Sequence, residues 1–183
     1  MSEQSPQAVL EEDQRNDTKE LIINDFSIQV ATVNGSGSQS SNTVLMRSIF
    51  QMGIPVSGKN LFPSNIAGLP TWFTIRANKA GWIARRKEID FLIAMNVDTA
   101  REDVMSLGPN TVVVYEETLN LKQLRKDLHF FPIPFAKLAA GITTDSRLRK
   151  LLANMIYVGV VGELLDIDPA EMEVALQKQF KGK

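Results

Sequence analysis

Two polar clusters in this 183-residue chain have the residue types to hold an anion. The first is Asn34-Gly35-Ser36-Gly37-Ser38-Gln39-Ser40-Ser41, set between a strand-like run and a helical pattern. A strand, a turn of small residues and a helix N-terminus offer unpaired backbone N–H groups and the positive end of a dipole, which suits phosphate-like groups. The second cluster lies in a stretch punctuated by Gly58, Pro63, Gly68 and Pro70 and carries Lys59, Asn60, Ser64 and Asn65. Its charge and amide groups, with Arg76 beyond it, complete the candidate set: Gly35, Gly37, Ser38, Gln39, Ser40, Lys59, Asn60 and Arg76.

Each cluster also has a plainer reading. Gly35-x-Gly37-x-x-Ser40 approaches the dinucleotide fingerprint, with serine in place of the third glycine. The acidic ribose partner expected about 20 residues later is missing, since Ser57-Gly58-Lys59 stands there. Ordinary NAD binding is therefore disfavoured, and a tight turn that needs glycine stays open beside anion binding. Lys59 and Asn60 also read as solvated loop residues. His129 is the single histidine and there is no cysteine. With acids scattered, no catalytic triad or metal cluster forms on paper. Arg85-Arg86-Lys87 reads as a solvated or interfacial patch. The pattern describes a binding and assembly domain without chemical machinery of its own.

The elements that must position these residues follow from periodicity. Phe26–Val33 alternates and then turns apolar, as a strand entering a core does. Val44, Leu45, Ser48, Ile49 and Met52 recur at helical spacing up to Gly53. Ile54–Val56 reads as a short strand and 58–70 as loop. Thr71–Ala77 alternates, with Trp72, Thr74 and Arg76 on one face. Ile89–Met95 and Thr111–Tyr115 are apolar runs of buried parallel-strand type. A short helix between them begins at Asp98 or Thr99 and stops before Gly108-Pro109. Leu121–Leu128 reads as a helical turn, and Pro132 and Pro134 confine 130–135 to an edge strand or extended segment. Ser146 opens a long helix to about Leu165 that is apolar nearly all round, hence buried or interfacial. Asp168-Pro169-Ala170-Glu171 is a cap, a proline and a capping-box acid in front of a last helix. Alternating strands and helices predict a three-layer α/β/α sandwich with a largely parallel, Rossmann-like sheet. In such sheets ligands sit beyond the carboxyl ends of strands, where the Gly35 loop and Asn96 belong. An apolar patch is expected on the Trp72 strand or the Leu151–Val161 helix, as a partner surface.

Composition sets the outer bounds. Residues 1–25 hold seven acids against Arg15 and Lys19, a net of −5, which leaves +4 on the other 158. Residues 1–20 read as an acidic disordered tail and 21–183 as the domain. The mildly basic body suits a small anion, whereas no basic stripe with interleaved aromatics points to nucleic acid. No apolar run reaches the roughly 20 residues of a membrane span. The first residues do not read as a signal peptide, so the expected compartment is the cytoplasm. Absence of cysteine excludes disulfides and thiolate-ligated clusters within the chain.

Four segments carry a resemblance. They are Val33–Ser40, Gly58-Lys59-Asn60-Leu61-Phe62-Pro63-Ser64-Asn65-Ile66, Gly68-Leu69-Pro70-Thr71-Trp72-Phe73-Thr74-Ile75-Arg76 and Asp90–Asn96. Together they make residues 26–165 similar to the gamma domain of 2-oxoacid:ferredoxin oxidoreductases, in the form fused to the N-terminus of the alpha subunit. Free-standing gamma subunits carry glycines where Ser38 and Ser40 stand here. The resemblance implies part of an enzyme, most closely the 2-oxoglutarate form, that decarboxylates a 2-oxoacid with coenzyme A and passes electrons to ferredoxin. It implies alpha and beta parts as partners, an alpha domain after Lys183, thiamine diphosphate and iron–sulfur clusters in those partners, and no cofactor held by this chain alone. It also implies that the domain helps with coenzyme A. A nucleotide-binding domain without catalysis, or a purely structural assembly domain, remains the alternative.

Overall fold

A computed structural model describes residues 24–63 and 65–181. The acidic tail expected over residues 1–20 and the Ser64 side chain lie outside the described residues. Eleven regular elements follow one another. They are β1 (Asp25–Val33), α1 (Ser38–Gln51), β2 (Val56–Leu61), β3 (Pro70–Asn78), β4 (Phe91–Ala94), α2 (Ala100–Met105), β5 (Val112–Glu116), β6 (His129–Ile133), α3 (Phe135–Ile142), α4 (Ser146–Leu164) and α5 (Pro169–Gln179). The strands form one sheet in the order β2-β3-β1-β4-β5-β6. β1, β4, β5 and β6 pair in parallel, and β3 pairs antiparallel with both β1 and β2. Five strands thus run one way and β3 alone runs the other, which confirms the largely parallel α/β sandwich.

Strand alternation splits the apolar residues between two cores. Ile28, Val30, Phe73, Ile75, Ile93 and Val114 face α1, α4 and α5, where Leu45, Ile49, Tyr157 and Val161 meet them. Ala31, Leu92, Ala94, Val113 and Tyr115 face α2 on the other side, against Val104 and Leu107. Each fully buried aliphatic side chain contributes about 1.5–3 kcal/mol. α4 and α5 start where their aspartates cap them. Asp145 accepts from the N–H groups of Arg147 at 2.7 Å and Leu148 at 3.1 Å, and Asp168 from Ala170 at 2.8 Å.

Three expectations need correction. The strand that includes Val56 runs on to Leu61, through residues 58–61 that read as loop. Gly58 reads as a breaker, yet it serves the sheet: a Cβ there would lie 2.7 Å from Met46 Sδ and Phe73 Cζ, so only glycine lets β2 sit beneath α1. α3 went unanticipated because Pro132 and Pro134 mask its start. Pro134 stands at the N-cap of α3, a place that needs no helical N–H. Trp72 is no exposed platform. Its Nε1 donates to Asp103 of α2 at 2.8 Å and its ring packs on the second core. The other place expected for an apolar surface, the helix of Leu151–Val161, does expose Leu151, with Leu148 beside it on α4 and Leu138 and Ile142 on α3. No helix among the described residues is long and apolar enough to cross a membrane.

Candidate functional site

At the carboxyl end of β1 the chain turns through Asn34–Gly37 and enters α1. Gly37 takes the N-cap place with φ +85°, and no side chain caps the helix. A side chain is disfavoured there twice over, by the left-handed backbone and because a Cβ would push aside the end of Leu151 of α4. The turn is held from both sides. Asn34 N–H donates to the Leu69 carbonyl at 2.8 Å, and Gly68 N–H donates back to the Asn34 carbonyl at 2.9 Å. From α4, Asn154 Nδ2 donates to the Ser36 carbonyl at 2.9 Å. Thr32 and Ser38 share a hydroxyl–hydroxyl bond of 2.9 Å across the turn. Among the described residues no backbone acceptor receives the N–H groups of Gly35, Gly37, Ser38 or Gln39. The helix therefore opens with its donors unspent.

This turn occupies the point where the sheet changes hand. α1 leaves β1 toward one face and α2 leaves β4 toward the other. Ligands of open α/β sheets bind at such points. Asn96, just past β4, donates to the Thr32 carbonyl at 3.3 Å and accepts from Asp98 N–H at 3.0 Å. It fixes the crevice and is itself spent.

A cleft of about 320 Å³ opens at the turn, lined by Thr32, Asn34, Gly35, Gly37, Ser38, Gln39, Asn42, Asn60, Thr71 and Phe73. Its size suits a fragment of a larger ligand. On its β2–β3 wall Thr71 Oγ1 lies 3.2 Å from Asn60 Oδ1 and 3.3 Å from the Leu61 carbonyl. On its α1 wall Tyr157 of α4 donates to Asn42 Oδ1 at 2.8 Å. Burial pushes the Tyr157 phenol above its ordinary value, so this hydroxyl remains a donor at any working pH. None of the described lining residues is charged. The walls offer backbone N–H groups, amides and hydroxyls, a donor-rich lining for an acceptor-rich group.

The structure brings together five of the eight sequence candidates: Gly35, Gly37, Ser38, Gln39 and Asn60. Three fall elsewhere. Ser40 lies beyond the mouth of the helix, with its N–H bonded to the Gly37 carbonyl at 3.2 Å. Lys59 pairs with Thr74 while Asn60 pairs with Phe73, so alternation turns Lys59 to the opposite face of the sheet. Arg76 is at the far end altogether, opposite Ser27 at the start of β1, because β3 runs backwards. There it is buried, forms an ion pair with Asp25 and donates to the Phe26 carbonyl at 3.0 Å. The candidate set left out Thr32, Asn34, Asn42, Thr71 and Phe73 of the lining. Asn42 was within reach, since it follows Ser38 by one helical turn and must share its face. Among the described residues no group of three or more His, Asp or Glu side chains could hold a metal.

Fold and cleft together define a three-layer α/β domain with a candidate cleft at the carboxyl end of a mostly parallel sheet. The model of the family described as pyruvate ferredoxin/flavodoxin oxidoreductase matches residues 27–183, and the chain belongs to that family. No curated protein matches the sequence. Among solved structures, a 2-oxoglutarate:ferredoxin oxidoreductase from Magnetococcus marinus, with 2-oxoglutarate, coenzyme A and succinyl-CoA bound, superposes with a TM-score of 0.72 at 22% identity. That likeness covers 87% of this chain and 28% of the other, so this chain spans little more than a quarter of that protein. The pyruvate oxidoreductase subunit PORC of Thermotoga maritima gives 0.65 at 15% identity, covering 86% of each chain. The gamma subunit of a keto/oxoacid ferredoxin oxidoreductase from Geobacter sulfurreducens gives 0.66 at 13%, covering 85% of this chain and 86% of that one. At such identities these are likenesses of fold, and the relatives are oxidoreductase subunits.

Proposed function

We propose that this chain is the gamma-type domain of a cytoplasmic 2-oxoacid:ferredoxin oxidoreductase, with 2-oxoglutarate as the substrate. Its own task is to hold coenzyme A while a neighbouring part decarboxylates the 2-oxoacid, so that the product leaves as an acyl-CoA and electrons pass to ferredoxin. Alpha and beta parts are its partners and carry the thiamine diphosphate and iron–sulfur clusters, in keeping with a chain that has no cysteine. One observation carries the reading: the unspent N–H groups of Gly37, Ser38 and Gln39 and the Asn60 side chain converge on a single cleft at the switch point of the sheet. A phosphate group of coenzyme A supplies only acceptors, which matches that lining. The Magnetococcus marinus relative, which has coenzyme A bound, supports the choice of ligand, and its 2-oxoglutarate supports the choice of oxoacid.

The test uses the assembled enzyme. Hydrogen exchange is followed at Gly35–Gln39 with and without coenzyme A, beside viologen reduction with 2-oxoglutarate or pyruvate. Slowed exchange at those amides and faster turnover of 2-oxoglutarate are expected. Exchange unaltered by saturating coenzyme A would remove the ligand assignment, and preference for pyruvate would remove the oxoacid assignment.

A further inference from the structure

We propose that Asn42 is a binding residue of the cleft and that Tyr157 positions it, by occupying Asn42 Oδ1 and so turning the Nδ2 amide toward the ligand. The inference rests on the reading of the cleft as the coenzyme A site. Asn42 is 2% exposed, yet it lines the cleft. It stands one helical turn after Ser38, on the same side of α1. Tyr157 is fully buried in α4. Its hydroxyl lies 2.8 Å from Asn42 Oδ1 and 3.5 Å from the Ser38 carbonyl. A phenol has a single proton, and the shorter contact takes it. The amide oxygen of Asn42 is then in use, and the –NH2 end faces the other way.

That end has no partner among the described residues. The cleft leaves these donors within reach of water or of an acceptor group on a ligand. A phenylalanine at 157 would fill the same volume, so the hydroxyl serves the amide rather than the packing. The opposite wall carries a second amide, the exposed Asn60, whose Nδ2 has no partner among the described residues. The Thr71 hydroxyl lies between its Oδ1 at 3.2 Å and the Leu61 carbonyl at 3.3 Å. The two amides flank the open N–H groups of Gly37, Ser38 and Gln39. The ligand group between them accepts hydrogen bonds from every side, and the cleft recognises acceptor geometry without a formal cation.

Asn42→Asp and Tyr157→Phe in the assembled enzyme test this. N42D keeps the acceptor that Tyr157 needs and sets a carboxylate against the ligand. Its expected effect is a weakening of coenzyme A by tenfold or more, read by direct titration and by KM. Y157F is expected to raise the coenzyme A KM by about twofold to tenfold, the range of one neutral hydrogen bond, with the change in KM rather than kcat. A merely structural tyrosine would lower the melting temperature and leave that KM alone, which would overturn the proposal. Should N42D fail to assemble, Asn42→Ser removes the amide without adding charge and gives the same readout. If coenzyme A slows exchange at Gly35–Gln39 in the unaltered enzyme but no variant shifts its KM, this inference falls and the coenzyme A reading stands. If those amides are untouched by coenzyme A, both fall.

Discussion

Lys59 and Asn60 are neighbours in β2 and stand on opposite faces of the sheet. Asn60 pairs with Phe73 beneath α1 and lines the cleft, while Lys59 pairs with Thr74 on the other side. The proposed coenzyme A site therefore takes its β2 contribution from the amide, not the ammonium. Asn60→Ala should raise the coenzyme A KM about twofold to tenfold, as loss of one neutral hydrogen bond does. Lys59→Ala should leave it within twofold. A larger effect from Lys59 than from Asn60 would mean that the ligand lies across the other face.

Gly37 carries two separable constraints, its φ of +85° and the side chain of Leu151. Gly37→Ala should cost about 1–2 kcal/mol from the left-handed backbone alone, plus whatever Leu151 must do to move aside. Leu151→Ala is expected to recover only the steric part in the double variant, and Gly37→Asn to suffer less because asparagine tolerates this region. Urea unfolding of the unaltered chain, Gly37→Ala, Gly37→Asn, Leu151→Ala and the double variant settles the division. Full recovery in the double variant would mean that the backbone costs nothing.

The purified chain on its own should show no reduction of viologen with 2-oxoglutarate, coenzyme A and thiamine diphosphate. It has no cysteine for a cluster, and the redox chemistry belongs to such cofactors. Turnover above the blank would place chemistry in this chain that its residues do not explain.

Most of the scaffold could be read from the sequence, because periodicity reports burial. Ile28 and Val30 against Ser27 and Gln29 announced β1, and Ser146 and Asp168 marked where α4 and α5 begin. The direction of β3 could not be read this way. A strand has the same period of two whichever way it runs, and the β2–β3 connection holds no two-residue hairpin signal. That one unknown decided the fate of Arg76. Gly58 shows the complementary failure. Its glycine is demanded by Met46 and Phe73, which are distant in sequence, so a local reading took it for a breaker. In the cleft, the backbone donors at Gly37–Gln39 were legible as a small-residue turn. Asn42 depends on a hydroxyl 115 positions away, and no local pattern reports that.

Arg76 belongs to stability. With Asp25 it closes the open end of the sheet, and Arg86 reaches the same carboxylate at 3.7 Å while pairing with Asp90. The Asn78 amide and the Arg76 guanidinium hold the Asp25 carboxyl below the usual carboxylate range. The folded pKa is thus the lower one. Its contribution is present above the unfolded value near 3.8 and is lost as pH falls through the folded value. Arg76→Met should cost on the order of 2 kcal/mol, below the 3–5 of fully buried pairs because Asp25 is partly solvated. The coenzyme A KM should not move. If it rises while unfolding is unaffected, Arg76 acts in binding after all.

Asp103 behaves with the opposite sign. Burial in α2 raises its carboxyl above the ordinary value, and the nearby Thr99 hydroxyl and the Trp72 hydrogen bond offset this only in part. Here the folded pKa is the higher one. Between the unfolded value near 3.8 and the folded value, the folded state binds more protons than the unfolded state. Stability from this group therefore falls as pH rises through that window and stays low at neutral pH. Asp103→Asn keeps an acceptor for the Trp72 Nε1–H and removes the charge. It should be at least as stable as the unaltered chain at pH 7, with an advantage that shrinks as pH falls through that window and is gone below 3.8, where the carboxyl is neutral in both states. Asp103→Leu removes the acceptor as well and strands a buried indole N–H, so it should lose about 1–3 kcal/mol at every pH. Urea unfolding at pH 7 and near pH 4 compares the three. An N variant clearly weaker at pH 7 would show that the negative charge on Asp103 favours the fold, and that the Trp72 bond outweighs the burial of the carboxylate.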